Sequence, residues 1–166
     1  MSDAKASKPL DQAVLEELRQ LPLCDALQGC DPDGLAAMAE LGRIERFGAD
    51  ELLFRGGEPA TDLRLLVSGR VALSFQDPGV GVRTIGSVSP GDLLGWSALR
   101  EGGTWTVGAR TTKPTRCLTF PGDELRALCE RDREFGYCLM RYAFEVVAQR
   151  LGDCRVQLLD LYGRTR

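Results

Sequence analysis

The chain has 166 residues, 43% of them hydrophobic and 27% charged, which fits a single globular core. Its formal net charge of −3 gives no overall positive field to draw it to nucleic acid, and it has no apolar run of transmembrane length. With no histidine and six cysteines in no C-x-x-C pair, it lacks the usual zinc patterns, a His-ligated haem and any Ser-His or Cys-His nucleophile pair.

In chain order, residues 1–9 are small and polar and predict a frayed tail, with no apolar signal region behind them, so a cytoplasmic protein is expected. Over 11–21, Val14, Leu15, Leu18 and Leu21 recur at helical spacing, and Pro22 predicts the end of that helix. A second helix is expected from Asp31-Pro32-Asp33, an acidic cap before Leu35, Ala36, Met38, Ala39 and Leu41, with Gly42 closing it. From residue 43 the period changes to short runs parted by Gly, Pro, Asp and Ser, which predict strands at 44–47, 51–54, 63–67, 70–75, 83–88, 106–110 and 116–120. Strands this short and evenly spaced suit a sandwich, barrel or jelly roll.

A short helix is expected at 124–130 and a long one at about 133–162. In the long one, Met140, Phe144, Val147, Leu151, Cys154, Leu158 and Leu161 are spaced 4, 3, 4, 3, 4, 3, a heptad seam. A second stripe, Leu139, Ala143 and Val146, can pack on the domain near the helix start but then runs out. The rest of the seam therefore needs a partner, and a parallel helix-pair homodimer is expected. On that seam Cys154 reads as an apolar filler, although its place opposite its own copy makes an intersubunit disulfide geometrically conceivable. Cys117, Cys129 and Cys138 read as small buried side chains in a reducing compartment.

The stretch Pro90-Gly91-Asp92-Leu93-Leu94-Gly95-Trp96-Ser97-Ala98-Leu99 sets two glycines around an apolar pair and then a short turn, which suits a backbone that bends sharply and offers amide groups to an anion. With Phe54-Arg55-Gly56-Gly57-Glu58-Pro59-Ala60 and Leu65-Leu66-Val67-Ser68-Gly69-Arg70-Val71-Ala72-Leu73 before it, each glycine cluster closing an apolar run, it resembles the cyclic nucleotide-binding domain of the catabolite activator and fumarate–nitrate regulator superfamily. The resemblance implies a mainly β fold, a jelly roll with N-terminal helices and a long C-terminal dimerisation helix. Applied to this chain, it makes 10–166 one domain, with helices over 11–42, the β-roll over 43–121 and C-terminal helices over 123–162. It also implies a helix-turn-helix module beyond the long helix in the regulators. This sequence stops at Arg166, so no direct DNA contact is expected, and without an apolar run of transmembrane length no membrane partner is expected either.

In that family the phosphate cassette reads Gly-Glu-x-Ala-Leu, followed by an Arg-Ala-Ala or Arg-Ser-Ala step. The glutamate accepts from the ribose 2′-hydroxyl and the arginine pairs with the cyclic phosphate. Here Gly95, Ala98 and Leu99 match, Trp96 stands in the glutamate's place, and Gly103-Thr104-Trp105 stands where the arginine step belongs. An indole has one donor and no acceptor, so conventional cyclic AMP is not expected as ligand, and no cofactor is assigned. Two readings stay open. Trp96 and Trp105 flank a pocket for a nucleotide-like or small aromatic ligand, with Gly95, Ser97, Thr104 and Thr106 as its polar contacts, or the two indoles fill the roll.

Arg150 and Arg155 flank the seam and would repel in a parallel pair unless something negative lies nearby, a ligand or a roll carboxylate such as Asp62 or Glu58. The other arrangement splays them into solvent. Together these features predict a non-enzymatic regulatory module that binds a small molecule or partner protein in its roll and signals through a homodimer helix. The alternative is an adaptor that keeps the fold and binds no ligand.

Overall fold

The computed structural model describes residues 12–28 and 32–163, with the backbone alone at 28, 32 and 157–163. The tail expected at 1–9 lies outside these residues.

Helix α1 (Gln12–Leu18) buries Val14, Leu15 and Leu18, the stripe that its periodicity announces. It ends earlier than expected. The chain turns at Arg19-Gln20 and restarts as α2 (Pro22–Gln28), an element the periodicity alone does not give. Proline suits the first helical position, because its fixed φ is already helical and its missing N–H would be unpaired there anyway. Pro22 therefore opens a helix, and Leu23, Cys24 and Leu27 bury its inner face. Helix α3 (Pro32–Leu41) follows the expected bounds.

Six strands form one antiparallel sheet: β1 (Arg43–Phe47), β2 (Leu52–Phe54), β3 (Asp62–Asp77), β4 (Gly81–Val88), β5 (Leu93–Leu94) and β6 (Gly108–Pro121). The main path runs β1-β6-β3-β4, with β2 on β6 and β5 on β3. The runs expected at 63–67 and 70–75 are two halves of β3, and those at 106–110 and 116–120 fuse into β6, which starts at Gly108. The break anticipated at Ser68-Gly69 is a bulge, where the β3–β6 register shifts. Gly69 has a φ of 98°, and a Cβ there would run into Thr115 and the Pro114 carbonyl. The glycine bends the strand without ending it. The half of β3 before the bulge pairs with β5, and the half after it pairs with β4.

Side-chain alternation across the sheet separates two cores. Leu63, Leu65, Leu118 and Phe120 face the helices and join Leu18, Leu23, Leu125, Phe135 and Leu139. Leu66 and Cys117 turn the other way and, with Phe54, Val71, Leu94, Trp105 and Ala109, fill the roll. Near the end of that inner face, Arg64 is 8% exposed and lies 3.4 Å from Glu45 Oε2 and 3.4 Å from Asp62 Oδ2. Arg43 also reaches Asp62, at 3.2 Å.

Helix α4 (Gly122–Arg131) leads into α5 (Arg133–Gly163). The Asp132 carboxylate accepts from the Phe135 N–H at 3.0 Å and so caps the long helix. Leu139 and Ala143 are buried and Val146 is half-buried against the domain, as the second stripe implies. The heptad stripe faces away, with Met140 at 39%, Phe144 at 72% and Leu151 at 52% exposure, Val147 half-buried and Cys154 exposed. The side chains of Leu158 and Leu161 lie outside the described residues. Among the described residues no helix is long and apolar enough to cross a membrane.

Candidate functional site

The glycine-rich loop is built by backbone bonds that leave little choice of path. Asp92 accepts from the Ser89 N–H at 2.8 Å, and Gly91 donates to Leu66 O at 2.8 Å, which docks the turn on β3. After β5, Gly95 takes a φ of 84° and starts a 3-10 turn over Trp96–Leu99. A Cβ at Gly95 would lie 2.7 Å from Asp62 O and 2.9 Å from the Trp105 ring, so only glycine fits both the dihedral and the space. Arg126 from α4 donates to Ala98 O at 2.5 Å and pins the turn from the helix side. The loop then returns beside 57–60: Ala60 donates to Gly103 O at 2.8 Å, Trp105 donates to Glu58 O at 2.9 Å, and Gly57 donates to Trp105 O at 2.7 Å.

That pairing carries Trp105 into the roll. Its ring stacks on Phe54 with centroids 4.0 Å apart and planes 17° from parallel, and it is 4% exposed. Trp96 is half-buried and packs on the helix-side core, so the two indoles belong to different cores. Between them remains a gap of about 20 Å³, lined also by Gly95, Ser97, Leu94 and Arg150. Ser97 and Ala98 are buried, Leu99 is half-buried, and Thr104 and Thr106 are exposed.

Arg150 comes in from α5 and donates to Leu93 O. Burial lowers its guanidinium below the ordinary value, while Asp92 and Tyr142 act to raise it. Arg155 is exposed and lines neither cavity. The carboxylates that sequence reasoning offered as counter-charges are engaged elsewhere, Asp62 with Arg43 and Arg64, and Glu58 with Arg55 at 3.6 Å. Arg150 gives a donor to Leu93 O instead.

Beside this filled region lies a cavity that sequence reasoning missed, a cleft of about 620 Å³ between β2, the β3–β4 hairpin and the start of β6. Phe54, Phe75, Val82, Ser74, Thr84, Arg55 and Arg110 are among its lining residues. The Phe54-Arg55-Gly56-Gly57 stretch and Thr106, both singled out in the sequence, line it, but the rest comes from across the β3–β4 hairpin and β6, so spacing along the chain does not outline it.

The cysteines divide by environment. Cys117, Cys129 and Cys154 are free thiols, whereas Cys138 is disulfide-bonded, contrary to its reading as a reduced buried filler. Burial pushes the Cys117 thiol up to about 12, with Arg64 acting in the opposite direction, and burial pushes Cys129 up to about 11. At pH 8 only about one Cys129 side chain in a thousand is then thiolate, and fewer of Cys117. Iodoacetamide with mass mapping should therefore leave both unmodified until denaturant unfolds the chain. Both values exceed the unfolded reference of 9.0, so the unfolded chain loses these protons first. The stability they confer is whole below about pH 9 and is lost as pH climbs toward 11–12, which a denaturant series across that range checks.

A rolled antiparallel sheet with a glycine-started 3-10 turn behind β5 and a capped long helix closing the domain define a helix-flanked β-roll. Residues 44–132 match the cyclic nucleotide-binding domain, and the chain belongs to that family. Over 134 residues it is 27% identical to the CRP-like cAMP-activated global transcriptional regulator of Mycobacterium tuberculosis, covering 81% of this chain and 58% of the regulator. It thus spans little more than half of that relative's length. A candidate cyclic nucleotide-binding protein from Geobacter metallireducens superposes with a TM-score of 0.71 at 29% identity, over 82% of this chain and 96% of that one. A cyclic nucleotide-binding domain from Methylobacillus flagellatus shares the fold with a TM-score of 0.75 at 17% identity, over 89% and 84% of the two chains.

Proposed function

We propose that this domain is a non-enzymatic regulatory module that takes no cyclic nucleotide in its family's pose, senses a different small molecule, and reports through α5 as a homodimer. The observation that carries this reading is Trp105 stacked on Phe54 beside a gap of about 20 Å³. Ligand pockets typically run from about 300 to 1,000 Å³. Chemistry argues the same way: Trp96 offers no acceptor to a ribose hydroxyl, and Gly103-Thr104-Trp105 offers no cation to a phosphate. Each lost charge-assisted contact costs roughly 1.5–3 kcal/mol, so the pair weakens a nucleotide by several powers of ten.

The exposed stripe of Met140, Phe144 and Leu151 supports pairing of α5 with its copy, since a row of large apolar side chains in water is stabilised by a partner. Arg150 ties the same helix to Leu93, two residues before Gly95, so a shift in the roll bears directly on the helix. The cleft beside Phe54 favours sensing over a ligand-free adaptor.

Thermal melts with cyclic AMP and cyclic GMP test the nucleotide half. A ligand at one hundred times its dissociation constant adds about 2.7 kcal/mol of stability, and no shift is expected here at millimolar nucleotide. A micromolar dissociation constant for cyclic AMP overturns this half of the reading.

A further inference from the structure

The cleft of about 620 Å³ has a chemical character that the cassette does not share. Its lining includes three large apolar side chains, the buried Phe54 together with Phe75 and Val82, which are 53% and 70% exposed. Large apolar side chains left in water around a concavity are the usual mark of a surface that something covers. Among the described residues the charged ones lining it are two arginines, Arg55 and Arg110, with no carboxylate, in a chain whose net charge is −3.

Both guanidinium groups are held from outside the cleft by exposed acids. Arg110 lies 3.3 Å from Asp50, whose side chain is 87% exposed, and Arg55 lies 3.6 Å from Glu58, 48% exposed. Such solvent-screened pairs are weak, and each arginine keeps donors that a second carboxylate can take. Ser74 and Thr84 bring two hydroxyls to the same space.

Resting on the reading that this domain senses something other than a cyclic nucleotide, we infer that the cleft binds an organic monocarboxylate, a flat aromatic or short aliphatic body seated on Phe54 with its carboxylate at Arg110. The ligand's carboxylate takes the donors that Arg110 does not give to Asp50, and the apolar body covers Phe75 and Val82. Because Phe54 stacks on Trp105, the occupant bears on the ring pair that fills the roll.

Calorimetry on the full chain tests this with naphthoate and its neutral counterpart naphthylmethanol. Saturable binding of one naphthoate per chain is expected, at least tenfold tighter than the alcohol, because only the anion makes the charge-assisted pair. Arg110→Met should bring the two probes to the same affinity. Thr84→Trp, a filling change at an exposed position of β4, should abolish both while the melting temperature stays near that of the wild type. No naphthoate binding up to millimolar concentration overturns the inference, as does binding indifferent to both substitutions. Cyclic AMP that binds tightly without displacing naphthoate overturns the reading of the cassette but supports a separate cleft. Absent naphthoate binding in a protein that also ignores cyclic AMP removes the cleft alone.

Discussion

Replacing Trp105 by alanine should lower stability by about 3–5 kcal/mol, the range for removing a buried large aromatic from a packed core. The indole is 4% exposed, its stacking partner Phe54 is 6% exposed, and it joins Leu66, Val71, Leu94, Ala109 and Cys117 inside the roll. Little can move in to fill the space, because the flanking backbone is fixed by the bonds from Gly57 to Trp105 O and from Trp105 to Glu58 O. For a chain of this size each kcal/mol shifts the melting temperature by roughly 2–4 °C, so a drop of roughly 6–20 °C is expected in a calorimetric scan. Trp105→Phe keeps a stacking ring and should lose markedly less. A loss under about 1 kcal/mol for the alanine variant would mean that the indole does not fill the roll, and the argument against a nucleotide there would fail with it.

The second large effect is on assembly. Phe144→Asp should convert the protein from dimer to monomer in sedimentation velocity at micromolar concentration. Phe144 is 72% exposed in the single chain and is the second residue of the heptad stripe, between Met140 and Val147. In a two-fold pair every substitution counts twice. Losing one buried phenyl per helix, at about 1.5–3 kcal/mol each, raises the dissociation constant by roughly two to four powers of ten. Thermal unfolding of the monomeric roll should change much less at low protein concentration, since Leu139, Ala143 and Val146 hold α5 to the domain from its other side. A monomeric wild type, or a variant that stays dimeric, removes the proposed signalling route.

These two residues show what kind of information the sequence held. The heptad stripe was readable because a helix repeats locally: side chains three and four apart share a face whatever the rest of the chain does, and the inward and outward stripes of α5 follow from that alone. The Gly95 turn was readable for a similar reason, since a left-handed dihedral before a short turn selects glycine over any L side chain. Pro22 was misread because proline both ends a helix and opens the next, and only the burial of Leu23, Cys24 and Leu27 decides between the two roles. Gly69 was misread likewise: a turn and a bulge ask for the same residue, and the pairing partner across the sheet settles which is made.

The sequence of helices, then roll, then helices, the apolar faces of α1, α3 and α5, the family, and the replacement of the cassette's acid and arginine step by Trp96 and Gly103-Thr104-Trp105 were legible in residue types and their spacing along the chain, whereas α2 and the two-residue β5 were not. Tertiary structure decided the rest. It sent Trp105 into the roll and Trp96 toward the helices, engaged Asp62 and Glu58 with roll arginines, brought Arg150 to Leu93, and opened a cleft between β2, the β3–β4 hairpin and β6. The physical reason is range. Dihedral preference and amphipathic period act over a few neighbouring residues, whereas stacking, ion pairing and cavity shape depend on which distant segments the sheet sets side by side.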